Sequence, residues 1–414
     1  MSALLAPGSG QTVPSAGDLP RITVDLTQPE PVPAAGIARA IELMQNGRMH
    51  RYGETGGRGS DVALLEEEFA ASVGAKYCVA LSSGGATLFA ALKAQGVKAG
   101  DAVLTSAFTL APVPGAIAHA GARAILVEMQ DDCTADLADL ERKAASSGAK
   151  VFLVSHMRGH ISGMAALTAL CARLGIALIE DCAHTMGARW GGRPSGRWGV
   201  IGCFSAQTYK HINSGEGGLL VTDDDDIAAQ VILMSGSYML YKQHLSRPAD
   251  AVFDRWRYVT PNFSMRLSNL AAALLRPQLE LLPERAQKWN ALYAALAHAL
   301  AGIDHVCLPV RHAQEEFVAS SLQFHLDLDT PAIERFLAAC DARGLHIKWF
   351  GRAEPQGFTS KHEHWHYIEP ASLARTTAVL HGLCDMRIPL ALTLEDCALI
   401  GAIVRIGVAE AGAR

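Results

Sequence analysis

Aromatic side chains make up only 6% of this 414-residue chain. No window holds the roughly 18 consecutive apolar residues that a membrane helix requires. A cationic surplus is missing too. Lysine and arginine number 36 against 41 acids, a net charge of −5, and no Lys/Arg run forms a patch for a polyanion, which excludes DNA and RNA as expected partners. None of the nine cysteines sits in a C-x-x-C pair, and an odd count is a poor disulfide framework. The opening stretch, MSALLAPGSGQTVPSAGDLP, carries neither a basic n-region nor a sustained apolar core. No secretory leader is therefore expected, and cytoplasm is the expected compartment.

What the chain does have is alanine, leucine and a regular rhythm. Residues 1–20 are rich in Gly, Pro and Ser and read as a flexible lead-in. Residues 21–26 read as a short strand, 33–45 as a helix, 46–59 as a Gly-rich loop and 61–72 as a helix. Strands are then predicted at 76–81, 101–106, 124–128, 150–156, 177–179, 201–206 and 219–222. Helices separate the first five, at 84–95, 112–120, 135–146 and 164–174. This alternation predicts an α/β fold with a mainly parallel, seven-stranded sheet covered on both faces. Ligands of such sheets bind beyond the carboxyl ends of the strands, where Ser82, Ser106, His156, Asp181 and Ser205 fall.

Beyond residue 226 the pattern turns helical, with 227–234, a polar and aromatic passage at 236–262, and a long helix at 268–299 interrupted by Pro277 and Pro283. Strand-like pieces at 307–310, 321–327, 346–350 and 386–390 alternate with helices at 331–342, 371–382 and 394–404. The expected organisation is a lead-in (1–30), a large α/β domain (31–299) and a small C-terminal α+β domain (300–414).

The chemistry concentrates in 176–222, IALIEDCAHTMGARWGGRPSGRWGVIGCFSAQTYKHINSGEGGLLVT. One apolar run ends on Glu180 and Asp181; a second, 201–206, is followed after three residues by Lys210 and then by a Gly-rich turn. A desolvated ammonium loses its charge readily, so its amine can attack a carbonyl. Taken singly, Lys210 reads as a solvent-facing lysine and Asp181 as a helix cap. Their combination points to pyridoxal phosphate, which needs an amine for its aldehyde and an acid facing its pyridine nitrogen. It also needs a phosphate cradle. SSGGAT at 82–87 has that form: a strand end, two glycines that admit close backbone approach, and a helix start whose free N–H groups favour an anion. The plain alternative for SSGGAT is an ordinary strand-to-helix turn.

The order SSGGAT, EDCAH, FSAQTYKHINSGEGG and TPNFSMR resembles the DegT/DnrJ/EryC1/StrS aminotransferases, the sugar aminotransferase branch of the fold-type I pyridoxal-phosphate enzymes. The resemblance runs from about residue 30 to the C-terminus. It implies a ping-pong transamination from glutamate or glutamine to a carbonyl of a sugar or sugar-like acceptor. Lys210 would be the Schiff-base lysine and general acid/base, and Asp181 the partner of the pyridine nitrogen. His184 would lie near the cofactor's 3-oxygen, Ser205 would be a phosphate ligand, and Gly85 and Ala86 would offer backbone amides to the same phosphate. Asn262 falls where the family reaches the phosphate of a neighbouring subunit, which implies a homodimer with shared sites. The chain also departs from the pattern. Gly85 stands where the family often has threonine, Leu110 stands where an aromatic usually stacks on the ring (with Phe108 nearby), and FSMRLSN replaces the common YRMTD.

Rival readings rest on other residues. Relatives with histidine in place of the lysine act as dehydratases; here His211 is only the lysine's neighbour, and a structural role is expected for it. His362, His364 and His366 have the spacing that would put three imidazoles on one face of a strand, as a zinc hydrolase would need. A non-catalytic regulatory binder is the third class. Asp223–Asp226 reads as a solvated turn before a helix. Arg51, Tyr52, Arg158, His160, Tyr238, Tyr241, Arg266 and the segment 350–367 are the candidate walls of an acceptor site.

Overall fold

The computed structural model of the protein describes residues 20–53 and 59–412. The lead-in expected at 1–20 and the middle of the Gly-rich loop fall almost wholly outside them. Two helices, α1 (Ala34–Asn46) and α2 (Asp61–Val73), precede the sheet. There follow β1 (Tyr77–Leu81), α3 (Gly84–Ala94), β2 (Ala102–Ser106), α4 (Pro112–His119), β3 (Arg123–Val127), α5 (Leu137–Ser147), β4 (Val151–Ser155), α6 (Met164–Leu174) and β5 (Ala177–Asp181). Two short strands, β6 (Arg189–Trp190) and β7 (Arg193–Pro194), lead into β8 (Ile201–Ser205), β9 (Gly218–Thr222), α7 (Asp225–Ser235) and α8 (Asp250–Trp256). The second half holds α9 (Asn269–Leu300), β10 (Val306–Cys307), β11 (Glu315–Glu316), β12 (Ser321–Leu326), α10 (Thr330–Asp341), β13 (Lys348–Trp349), α11 (Ala374–Gly382), β14 (Leu383–Arg387) and α12 (Leu394–Gly412).

Seven strands form the main sheet in the order β1-β9-β8-β5-β4-β2-β3. Only β9 runs against its neighbours, pairing antiparallel with both β1 and β8. The central strands are buried from end to end, as β-branched and apolar runs covered on both faces must be. The architecture is the mainly parallel, seven-stranded α/β sheet that the alternating pattern implied, and it agrees with the fold-type I arrangement that the resemblance implied. A smaller antiparallel sheet has the order β10-β12-β14-β13, and one continuous apolar cluster runs from Leu104 and Phe152 of the large sheet to Phe324 of the small one, Phe336 of α10 and Val404 of α12.

Capping explains most helix starts. Ser60, Ser83, Asp136 and Asp224 each accept a hydrogen bond from a backbone amide in the first turn that follows. Asp224 thus makes the aspartate run a helix-capping turn. Three expectations fail. Residues 21–26 form no strand: Asp25 Oδ1 accepts from the Thr27 amide (2.8 Å) and hydroxyl (2.7 Å), a local turn that competes with extension, while Ile22 and Leu26 are buried. The long helix is not interrupted. α9 runs through Pro277 and Pro283 for 32 residues because it packs against α1, α2 and α12, and Gly36 of α1 lies close against the Ala273 carbonyl that Pro277 leaves without a helical donor. Finally, the strand expected at 386–390 is β14, three residues earlier, since Pro389 cannot donate to a ladder.

Candidate active site

β5 ends on two acids, and the pleat sends them to opposite sides. Glu180 turns into the core, where its carboxylate accepts from the amides of Gly196 (3.0 Å), Trp198 (2.7 Å) and Gly199 (2.7 Å). It also lies near His156 and Cys182, but those three backbone donors make it a staple for the 196–199 turn rather than a ligand in waiting. Asp181 turns the other way, into a cavity of ≈ 580 Å³ beyond the strand ends. Its Oδ2 accepts from Ser155 Oγ (2.8 Å), which in turn accepts from Thr109 Oγ1 (2.9 Å), and its Oδ1 accepts from the Ala183 amide (3.1 Å).

Lys210 enters the same cavity from the loop after β8. That loop is closed on itself: Ala206 N donates to Gly217 O (2.8 Å), Thr208 N to Gly215 O (3.0 Å), and Ser214 N to Ala206 O (3.0 Å). The side chain is half-buried, shielded from bulk water yet facing the cavity, with Nζ 2.8 Å from His184 Nε2. Burial first, and then the positive charge of Arg158, pull its ammonium from 10.5 down to about 7; Asp181 opposes this with less effect. His184 is held well below its ordinary value by burial and then by Lys210, so the pair shares one hydrogen bond with its imidazole neutral.

The third wall is the start of α3. Gly84 lies so close to β8 that a Cβ there would sit 2.9 Å from Ser205 Cβ, and a Cβ on Gly218 would meet Ser83 O at 2.3 Å, which accounts for glycine at both places. Ser83 Oγ already accepts from the Ala86 amide (3.0 Å), so the Gly85 amide is the freer of the two expected donors. The cavity brings together Lys210, Asp181, His184, Ser205 and Gly85. Asn262 lies outside it on the surface, where its Oδ1 accepts from Ser264 N (2.9 Å).

Other candidates separate cleanly. Leu110 lines the cavity, whereas Phe108 is buried edge-on against Phe350 (5.1 Å). Arg158 and 357–359 of the 350–367 segment reach the cavity. Arg51, His160, Tyr241 and Arg266 are taken up in other contacts, with Glu66, Gln323, Phe253 and the Gly236 carbonyl respectively. His211 packs against Trp289 (5.2 Å), leaving Lys210 the one lysine in the lining among the described residues. His362 and His364 are not on a strand but in one short 3₁₀ turn, and His364 Nε2 bonds the Ala353 carbonyl (2.7 Å). The three-imidazole face of the hydrolase reading does not form, because 3₁₀ winding turns successive side chains about 120° apart. Sequence reasoning missed Tyr209, Ser155 and Arg387; for Arg387 no local motif signals the site, since β14 reaches the turn after β4, where Asp385 pairs with Arg158 (2.8 Å), only through the tertiary fold.

The model of the DegT/DnrJ/EryC1/StrS aminotransferase family matches residues 39–405. Enzymes of that family are pyridoxal-phosphate-dependent transaminases. The chain is 34% identical over 278 residues to L-glutamine:2-deoxy-scyllo-inosose aminotransferase of Micromonospora echinospora (66% of this chain, 65% of that one). It is 33% identical over 273 residues to 3-amino-5-hydroxybenzoate synthase of Amycolatopsis mediterranei (66% of each). It spans about half to two thirds of the length of the curated relatives it matches. Among solved structures, Spr1654 of Streptococcus pneumoniae, known in PLP and PMP forms, superposes with a TM-score of 0.75 over 93% of this chain and 98% of that one; at 17% identity this speaks for the fold alone. Among the described residues no helix is long and apolar enough to cross a membrane.

Proposed function

The chain belongs to the DegT/DnrJ/EryC1/StrS aminotransferase family, and from that premise we propose that it moves an amino group from glutamate or glutamine to a carbonyl of a sugar or sugar-like acceptor, free or nucleotide-linked. The observation that carries this reading is the convergence of Lys210 Nζ and the Asp181 carboxylate on one cavity, with the amine lowered to about 7. The residues present fit pyridoxal phosphate. A readily deprotonated amine, an anchored carboxylate and a Gly-walled helix start line a space of ≈ 580 Å³, within the usual size of a cofactor pocket.

Lys210 Nζ would hold the aldehyde carbon and Asp181 the ring nitrogen, while Ser205 Oγ and the Gly85 amide would hold the phosphate. When bound, the cofactor supplies an electron sink for the carbon attached to the transferred nitrogen. The protein's own part is positional and protonic. Asp181 is kept aimed by Ser155 and the Ala183 amide; Lys210 Nζ takes a proton from the donor's α-carbon and returns one on the acceptor half. His184, neutral and 2.8 Å from Nζ, orients the amine. Asn262 would reach the phosphate held by a second copy of the chain, making a homodimer with shared sites, and a cytoplasmic enzyme is the reading adopted.

The test is a half-reaction. Protein loaded with the cofactor should release one equivalent of oxo acid from glutamate or glutamine and then stop until a keto-inositol or keto-sugar is added. Absence of oxo-acid release from both donors would sink the proposal.

A further inference from the structure

The loop that carries Lys210 is stiff within itself. Besides the bonds across its neck, the amides of Tyr209 and Lys210 turn back onto Gln207, to its side-chain oxygen (3.0 Å) and its carbonyl (2.9 Å). Such a loop can still pivot as one body on the ends of β8 and β9. What opposes the pivot is α9. His211 packs edge-on against Trp289 of that helix, Ile212 is fully buried, and Asn213, three residues past Lys210, is gripped by Gln278.

Gln278 is fully buried inside α9, where a polar side chain is tolerated only when its hydrogen bonds are made. Its Oε1 accepts from the Asn213 amide (3.1 Å) and from Arg285 Nη1 (3.3 Å). Its Nε2 donates to the Asn213 carbonyl (2.7 Å) and to the Leu274 carbonyl (2.7 Å). Both donors and both acceptor positions are thus used, and the partners fix which end is oxygen and which is nitrogen. A primary amide reproduces the donor and acceptor of a peptide, so it meets both backbone groups of Asn213 as a neighbouring strand would. The Asn213 side chain is tied down too, Nδ2 donating to the Glu30 carbonyl (3.3 Å).

Where the loop sits decides what surrounds the amine. Burial is the largest influence on Lys210, then Arg158 from the turn after β4; Asp181 of β5 opposes them, and Arg387 of β14 adds to them. His184 lies 2.8 Å from Nζ and His211 is its neighbour in the chain. Glu30, before α1, and Glu216, of the same loop, each share a cavity lining with it. A loop tilted outward would return water to the amine and draw it away from Arg158, and both changes favour the charged form.

We infer that Gln278 is a positioning residue for Lys210: from the buried face of α9 its amide fixes the backbone of Asn213 and so sets how deep in the cavity the lysine amine sits. This rests on the transaminase reading, in which Lys210 is the reactive amine, and adds the element that holds it in place.

The test reads the amine itself. The full-length chain, without cofactor, is labelled by acetic anhydride over a range of pH, and the Lys210 peptide is quantified by mass spectrometry. The native amine should become reactive around pH 7. In Gln278→Met, of similar length but without the amide, the midpoint should rise by roughly one unit. Gln278→Glu, which keeps an acceptor for the Asn213 amide and loses the donor, should show a smaller rise. In cofactor-loaded enzyme Gln278→Met should lower kcat roughly tenfold, with KM for glutamate within about twofold of native. A lower thermal midpoint in Gln278→Met beside a native Lys210 labelling midpoint would make Gln278 a packing residue and overturn the inference. Should Gln278→Met fail to fold, Gln278→Glu decides it, a native labelling midpoint counting against the role. A labelling midpoint that depends on Gln278 in a protein that converts no amine would keep the positioning role and discard transamination.

Discussion

Two of the places where charge is buried in this protein are built on opposite principles. Outside the cavity, Arg51 Nη2 pairs with Glu66 Oε2 at 2.7 Å, with His244 Nδ1 2.6 Å from the same nitrogen. Glu66 Oε1 accepts from the Ala80 amide (2.7 Å), which ties α2 to β1. Although burial alone would raise Glu66, Arg51 and then His244 hold it down at about 2, and burial keeps His244 below its ordinary value, so one acid answers one cation. In the cavity, Lys210, Arg158 and Arg387 face Asp181 and Asp385, and the amine itself is the group that gives way. The first cluster holds elements together. The second keeps an amine ready to lose its proton, an arrangement that costs stability.

Replacing a member of each cluster should give opposite results. Lys210→Ala should lower turnover by roughly 10⁴-fold and abolish the visible absorbance of the bound cofactor. Its thermal midpoint should not fall, because a disfavoured buried cation has been removed; a mutant that keeps turnover would break the comparison at its root. Glu66→Gln should cost about 3–5 kcal/mol in denaturant unfolding, since Arg51 is left buried without a counter-charge. A loss below about 1 kcal/mol would mean that the pair contributes no more than a surface bridge.

The pH dependence sharpens the contrast. Glu66 has a folded value of about 2 against an ordinary 4.5, so its contribution is complete above 4.5 and is lost as pH falls toward 2. Lys210 has a folded value of about 7 against 10.5, so its penalty is complete below 7 and is relieved as pH rises toward 10.5. Unfolding followed against pH should show the acid arm shrink in Glu66→Gln and the alkaline arm flatten in Lys210→Ala. The smallest effect belongs to Ser155→Ala, which frees Asp181 Oδ2. Turnover should drop roughly tenfold with stability nearly unchanged, and an equal loss in both would make Ser155 a packing residue instead.

Legibility followed the range of the interactions. The seven strands of the main sheet could be read because each is a short apolar run between turn residues, and Ser83 or Asp136 marks the helix that follows; the two-residue strands β6 and β7 were not read. The helix through Pro277 and Pro283 could not, because the packing that overrides two local breakers comes from α1, α2 and α12. At the site, Lys210, Asp181 and Ser205 stood in one contiguous stretch with a recognisable spacing. Arg387 did not: it lies 177 residues beyond Lys210 and gains meaning only from Tyr209 beneath it.

The order of residues alone determined the sheet's alternation and the lysine and acid that lie past neighbouring strand ends, since hydrophobic period and turn chemistry act over a few residues. Which of Glu180 and Asp181 faces the cavity, that the Ala86 amide is already occupied, and that a second wall is cationic were settled only on folding. Those outcomes depend on pleat direction, on the approach of β8 and β9 to the α3 turn, and on the docking of β14 against the turn after β4. Each is a contact between segments that no local pattern encodes.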